Sequence, residues 1–213
     1  MQHIEFSPLT TTQKFFPVWR VDVPYIKQLD TTLLDESKWI VDDIKSHQVK
    51  YTDTQPEQKR FWYESRNCDP AIKKLYEIFG EKNILQHLDK LFLNDENYIL
   101  IDKLYQYNRH NDYARPSEWL VDKIECEHSI AKDIQGMTIN DHVDTRIYFG
   151  TFVVNLIDNT SSTVFVNANC PGPLEKGTGV FFLNDVSTLH RIDHLENNDR
   201  LISYTQIRFK VLD

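Results

Sequence analysis

Apolar and polar positions change rhythm near the middle of the chain. In the first half they recur at helical spacing. "LLDESKWIVDDIKSH" (Leu33–His47) sets Leu33, Leu34, Trp39, Ile40 and Ile44 near one face, with Asp35 and Ser37 as candidate caps. "DPAIKKLYEIFG" (Asp69–Gly80) predicts a helix with Asp69 at the N-cap, Pro70 at the first helical position and Gly80 at its end. "KNILQHLDKLF" (Lys82–Phe92) predicts a second helix directly after it. From Tyr98 onward short β-prone runs take over. They are "YILIDKLYQYN" (Tyr98–Asn108), "MTINDHVD", "YFGTFVVNLID", "STVFVNA", "GVFFLND", "TLHRI" and "RLISYTQIRFKVL", punctuated by turn-like "DNTSS", "NCPGP" and "ENND". Strands of this length and spacing predict a sandwich or small barrel. Helices first and strands after predict an α+β chain with N-terminal helices packed on one side of a β core. Residues 111–135, with "YARPSEW" among them, read as a long insertion or partly helical excursion, and Trp119 within it as an active-site lid or a dimer contact.

A chain of 213 residues suits one domain with a sizeable core. Residues 1–97 are expected to be mainly helical support, and 98–213 the β core. The net charge of −8, with no run of Lys or Arg, argues against a general nucleic-acid or anionic-membrane binder. "KRFWYESRN" (Lys59–Asn67) therefore reads as core aromatics with solvated flanks. Cys68, Cys126 and Cys170 form no CxxC, which argues against a disulfide framework or zinc ribbon and for a reducing compartment. The N-terminus shows no secretory pattern, and no apolar run is long enough to span a membrane. A cytoplasmic setting is expected.

His142 and Asp144 are two residues apart at the end of "TINDHVD". If that stretch is extended, both side chains project to one face. The pair alone is also the pattern of an ordinary polar strand start, so a metal site needs a third ligand. His190 closes a β-prone run and is preferred over His194, which sits in a polar, turn-like segment. Two histidines and one carboxylate on one face leave coordination positions open and suit Fe(II). Arg200 opens the last strand, with Ile202, Tyr204, Gln206 and Arg208 on its face. Turned inward, it needs an anionic partner, and a small dicarboxylate fits the guanidinium fork. Turned outward, it is an ordinary surface arginine.

The order His142-Val143-Asp144, intervening strands, His190, Arg200 resembles the Fe(II)/2-oxoglutarate-dependent oxygenases, particularly the small prolyl-hydroxylase-like bacterial and phage members. The resemblance covers Tyr98 to Phe209. Thr163 and Phe165 in "STVFV" sit where the family has G-G-x-T-x-F, with serines for the glycines. "EKGTGVFFLND" resembles the strand leading to the distal histidine. The resemblance implies a double-stranded β-helix, or jelly roll. It implies a dioxygenase that hydroxylates a small molecule, such as an amino acid, or a peptidyl residue, with succinate and CO2 as co-products. Fe(II) would be held by His142, Asp144 and His190, the distal carboxylate of 2-oxoglutarate by Arg200, and dioxygen would be the co-reactant. One departure matters. Ile202 stands where an R-x-S pattern would place a serine, and Ser203 falls on the opposite face. A further cosubstrate contact then passes to Tyr107 or Asn155. The rival reading is a cupin-like module that holds a metal or ligand without oxygenase chemistry.

Overall fold

The computed structural model describes residues 4–9, 16–41, 60–64, 67–92, 124–144, 148–184, 186–193, 195 and 198–209. Among these residues, twelve strands and three helices follow in the order β1 (Glu5–Pro8), β2 (Val18–Asp22), α1 (Pro24–Gln28), β3 (Trp39–Val41), β4 (Arg60–Tyr63), α2 (Pro70–Ile78), α3 (Glu81–Phe92), β5 (Ile124–Asp133), β6 (Ile139–His142), β7 (Gly150–Asn155), β8 (Thr163–Phe165), β9 (Cys170–Pro171), β10 (Thr178–Leu183), β11 (His190–Ile192) and β12 (Arg200–Phe209). The strands form two antiparallel sheets. The large one runs β1-β2-β10-β7-β12-β5-β4-β3 and the small one β6-β11-β8-β9. From β5 onward the chain passes back and forth between the sheets, so their faces enclose a common interior. Phe16, Val18, Ala131, Val153, Phe165, Val180, Phe182 and Ile202 fill part of it. Phe165 of the small sheet meets Phe182 of the large one edge-on, with ring centroids 5.3 Å apart. Strands β7 and β10 are buried at every position, which is why their sequences run apolar without alternating.

The outer face of the large sheet is covered by α2 and α3. Asp69 accepts from the Ala71 amide at 2.8 Å and Pro70 starts the helix, as the sequence predicts. Ile72, Leu75, Ile84 and Leu88 are completely buried in a cluster that includes Ile130, Phe152 and Phe181. Here β12 presents Thr205 and Ile207, while Ile202 and Tyr204 face the intersheet space. His128 on β5 lies flat against Phe79 of the α2 C-terminus, with centroids 5.0 Å apart, and edge-on to Tyr76 at 4.5 Å. Its Nδ1 is 2.6 Å from Thr205 Oγ1. Burial pushes this imidazole down to about 3, so it is neutral at pH 7.

Two expectations need correcting. Leu33–His47 does not begin as a helix. Asp30 and Asp35 accept from the amides of Thr32 and Ser37, closing two short 3-10 turns before the chain enters β3. Such local side-chain bonds compete with helix propagation, and they outweigh the helical spacing here. Residues 42–47 of that stretch lie outside the described residues. The N-terminal part thus supplies β1 to β4 of the large sheet as well as its helices. The second correction concerns the insertion expected at 111–135. Its last part is β5, a ten-residue strand at the heart of the large sheet. The predicted strand at Tyr98–Asn108 and residues 111–123, including Trp119, lie outside the described residues. No described helix is long and apolar enough to cross a membrane.

The buried His128 makes stability acid-sensitive with a definite sign. Its folded value lies below the unfolded value of about 6.5, so its neutral form supports the fold fully above that pH. The contribution is lost as pH falls from about 6.5 toward 3. Between pH 7 and pH 5 this one group should remove roughly 2 kcal/mol. Urea unfolding at the two pH values checks this. His128→Phe should flatten the dependence by about one proton. An unchanged slope would place the acid sensitivity elsewhere.

Candidate metal centre

The small sheet builds the centre through one cross-strand pair. His142 ends β6, His190 begins β11, and the two stand directly opposite in the register. Their ring centroids are 4.2 Å apart. Each ring is oriented by a backbone carbonyl close by in the chain. Nδ1 of His142 is 2.8 Å from the Asn140 carbonyl, and Nδ1 of His190 is 2.9 Å from that of Thr188. A carbonyl only accepts, so each Nδ1 carries a proton and each Nε2 is the atom left to act as a ligand. Both Nε2 atoms lie 3.7 Å from Oδ1 of Asp144. His190 is held down to about 4. Burial is the main cause, and the neighbouring Asp144 opposes it. It is therefore uncharged at neutral pH.

Asp144 is itself buried, and among the described residues no lysine or arginine pairs with it. Its Oδ2 accepts from Thr151 Oγ1 at 2.7 Å and from the Tyr204 hydroxyl at 3.4 Å. Thr151 sits on β7 and is completely buried. Asn184 lies beside it, with Oδ1 3.1 Å from Thr151 Oγ1 and Nδ2 donating to the Tyr148 carbonyl at 3.0 Å. Oδ2 is thus committed to the protein and Oδ1 is left facing the two Nε2 atoms. The three ligand atoms lie within 4.8 Å of one another. Two imidazoles and one carboxylate on one side of a shared point fit a first-row divalent cation with open positions opposite. Burial of the carboxylate supplies the reason for a cation to be there. These three residues were all expected from the sequence. Thr151, Asn184 and Tyr204 were not expected to orient Asp144, since nothing in their spacing marks it.

Arg200 is buried, as the inward reading requires, at 2% exposure. Its Nη2 donates to Thr163 Oγ1 at 3.0 Å, crossing from β12 to β8 of the small sheet. The Nε hydrogen is buried without a partner. The anion expected for this arginine is in part the protein's own. Nη1 donates to Asp133 Oδ2 at 3.3 Å. Asp133 is fully buried and also receives Arg60, through Nε to Oδ1 at 2.6 Å and Nη2 to Oδ2 at 2.9 Å. Arg60, Asp133 and Arg200 are neighbours in one row across β4, β5 and β12. Burial would raise the Asp133 carboxyl, but the two guanidiniums outweigh it and hold it below the usual range. Burial pushes Arg200 down to about 10, partly offset by Asp133, so it remains charged at neutral pH.

The arginine and the triad face one interior. Phe165 pairs with His190 across the small sheet, and Thr163 is two residues along the same strand. That step is roughly 7 Å. Asn155 lies elsewhere in hydrogen-bonding terms. Its Nδ2 donates to the Pro173 carbonyl and its Oδ1 accepts from Asn159, both at 2.8 Å, so it braces the chain after β7. Arg208 pairs with Glu125 and Glu127 at partly exposed positions. Tyr107 and His194 lie outside the described residues.

No protein-family model matches the chain, and no curated protein matches it. Among solved structures it is similar to 2OG-Fe(II) oxygenases, prolyl hydroxylases among them. The viral collagen prolyl hydroxylase of Paramecium Bursaria Chlorella virus-1, in a 2OG complex, shares 15% identity at a TM-score of 0.43, covering 72% of this chain and 79% of that one. A prolyl-4-hydroxylase of Pseudomonas putida shares 14% at 0.42, covering 72% and 73%. An oxidoreductase of the 2OG-Fe(II) oxygenase family from Burkholderia pseudomallei shares 11% at 0.37, covering 70% and 66%.

Thr151 offers a test of the centre that spares its three ligands. Thr151→Val keeps the volume and removes the hydrogen bond to Asp144. Affinity for Mn(II), measured by competition with a chelator, should fall about tenfold or more, as for other groups that orient a metal ligand. Unchanged affinity would mean that Oδ2 does not need this anchor.

Proposed function

We propose that the protein is an Fe(II)- and 2-oxoglutarate-dependent dioxygenase that hydroxylates a small molecule or a peptidyl residue. The observation that carries this reading is the meeting of His142, Asp144 and His190, with both Nδ1 atoms and one carboxylate oxygen already engaged by the protein. The strand order supports a double-stranded β-helix, because β5 to β12 supply four strands to each of two facing sheets. All 213 residues are read as one domain.

The residues divide the work between two ends of one interior. His142, His190 and Asp144 would hold Fe(II), which with 2-oxoglutarate and dioxygen supplies the oxidising power for inserting one oxygen atom into a C–H bond and the other into succinate, with CO2 released. Arg200 and Thr163 would bind the distal carboxylate. A step of roughly 7 Å along β8 suits a short dicarboxylate whose other end lies at the metal. Val153, Val180, Phe182 and Ile202 line the interior and exclude water around these charged contacts. Tyr204 stays protonated, because burial and the nearby Asp144 both raise it, and so it acts as a donor to the ligand carboxylate.

One observation favours the second reading, a cupin-like module that binds a metal or ligand without this chemistry. Asp133 already offers Arg200 a carboxylate. Formation of succinate from 2-oxoglutarate separates the two. The Fe(II)-loaded protein should form it, and His142→Ala should abolish it. Arg200→Met should raise the KM for 2-oxoglutarate at least about tenfold, the scale of a lost charge-assisted pair. A folded, iron-loaded protein that forms no succinate would favour the binding module.

A further inference from the structure

Arg60 lies one strand beyond Arg200's own neighbour, yet it governs what Arg200 has left to give. The carboxylate of Asp133 stands between the two arginines and is shared unequally. Arg60 takes it in a fork at 2.6 and 2.9 Å, whereas Arg200 reaches it through one nitrogen at 3.3 Å. Among the described residues, Nε of Arg200 is buried without an acceptor. A buried guanidinium so weakly compensated favours a further anion. We propose that Arg60 is a specificity-positioning residue: by holding Asp133, it keeps Arg200 available for the distal carboxylate of a dicarboxylate ligand. Asp133 then acts as a resident counterion that makes Arg200 tolerable in the interior without saturating it. Without Arg60, the whole charge of Asp133 falls to Arg200 and the protein competes with its own ligand.

This rests on the reading of Arg200 as an anion anchor, and the measurement below separates the two. Titration calorimetry with the full chain, loaded with Mn(II), compares 2-oxoglutarate with pyruvate, which has the same oxo-acid end and lacks the distal carboxylate. Wild type should bind 2-oxoglutarate more tightly. Arg60→Met should lose about tenfold or more of the 2-oxoglutarate affinity while pyruvate binding stays the same. The double variant Arg60→Met/Asp133→Asn removes the competing carboxylate and should return to within about threefold of wild type. Asp133→Asn alone should bind 2-oxoglutarate at least as tightly as wild type, and it carries the test if Arg60→Met does not fold. The proposal is overturned if Arg60→Met binds like wild type, if the double variant stays as weak as the single one, or if Asp133→Asn binds more weakly. If wild type does not distinguish the two oxo acids, the anchor role of Arg200 falls and the role of Arg60 falls with it. Discrimination in wild type that Arg60→Met leaves intact removes only the latter.

Discussion

The antiparallel pairing of β6 with β11 is the constraint on which the site depends. It sets His142 against His190, ends distant in sequence but adjacent in the ladder. Each imidazole is then turned by a carbonyl two residues away in its own chain. Asp144 follows β6 by two residues and lies buried against β7, where Thr151 fixes it. No ligand needs a long-range side-chain partner to find its orientation except the aspartate. The centre is as precise as the small sheet is rigid, and that sheet is supported by Phe165 and Phe182 packed directly behind His190.

The interior has two chemically distinct ends. At one, an aspartate meets two imidazole nitrogens, an arrangement suited to a cation. At the other, two arginines share one aspartate, an arrangement completed by an anion. An apolar wall joins them. Low dielectric strengthens both ends and makes each costly when unfilled. A ligand with a chelating group at one end and a carboxylate at the other satisfies both, and 2-oxoglutarate has that form.

Much of the site was legible because its signals are local. His142 and Asp144 are two apart, so the end of β6 keeps them close, although Asp144 lies past the strand and is fixed by Thr151. Arg200 begins a strand whose apolar pattern is plain, whereas His190, expected to close a β-prone run, begins β11. The capped helices α2 and α3 were visible for the same reason. What was hidden depends on pairing between distant segments. β5 carries Glu125, Glu127, Lys132 and Asp133 and reads in the sequence as the end of an insertion. Its acidic groups are matched across strands by Arg208, Arg60 and Arg200, and Lys132 by Glu36 and Asp199. Asp133 resembles any loop aspartate until the register places it between two arginines. The helical spacing around Trp39 was overridden by Asp30 and Asp35, whose local hydrogen bonds make turns.

The most direct test of the centre uses light rather than turnover. Fe(II) and 2-oxoglutarate are added to the protein without oxygen, and the visible metal-to-ligand charge-transfer band is recorded for wild type and Asp144→Ala. A band in wild type that disappears in Asp144→Ala, with the variant still folded, is the expected result. It would mean that the oxo acid chelates iron held by this triad. A folded wild type that takes up iron and shows no band on adding 2-oxoglutarate would contradict the reading of the site as a dioxygenase centre.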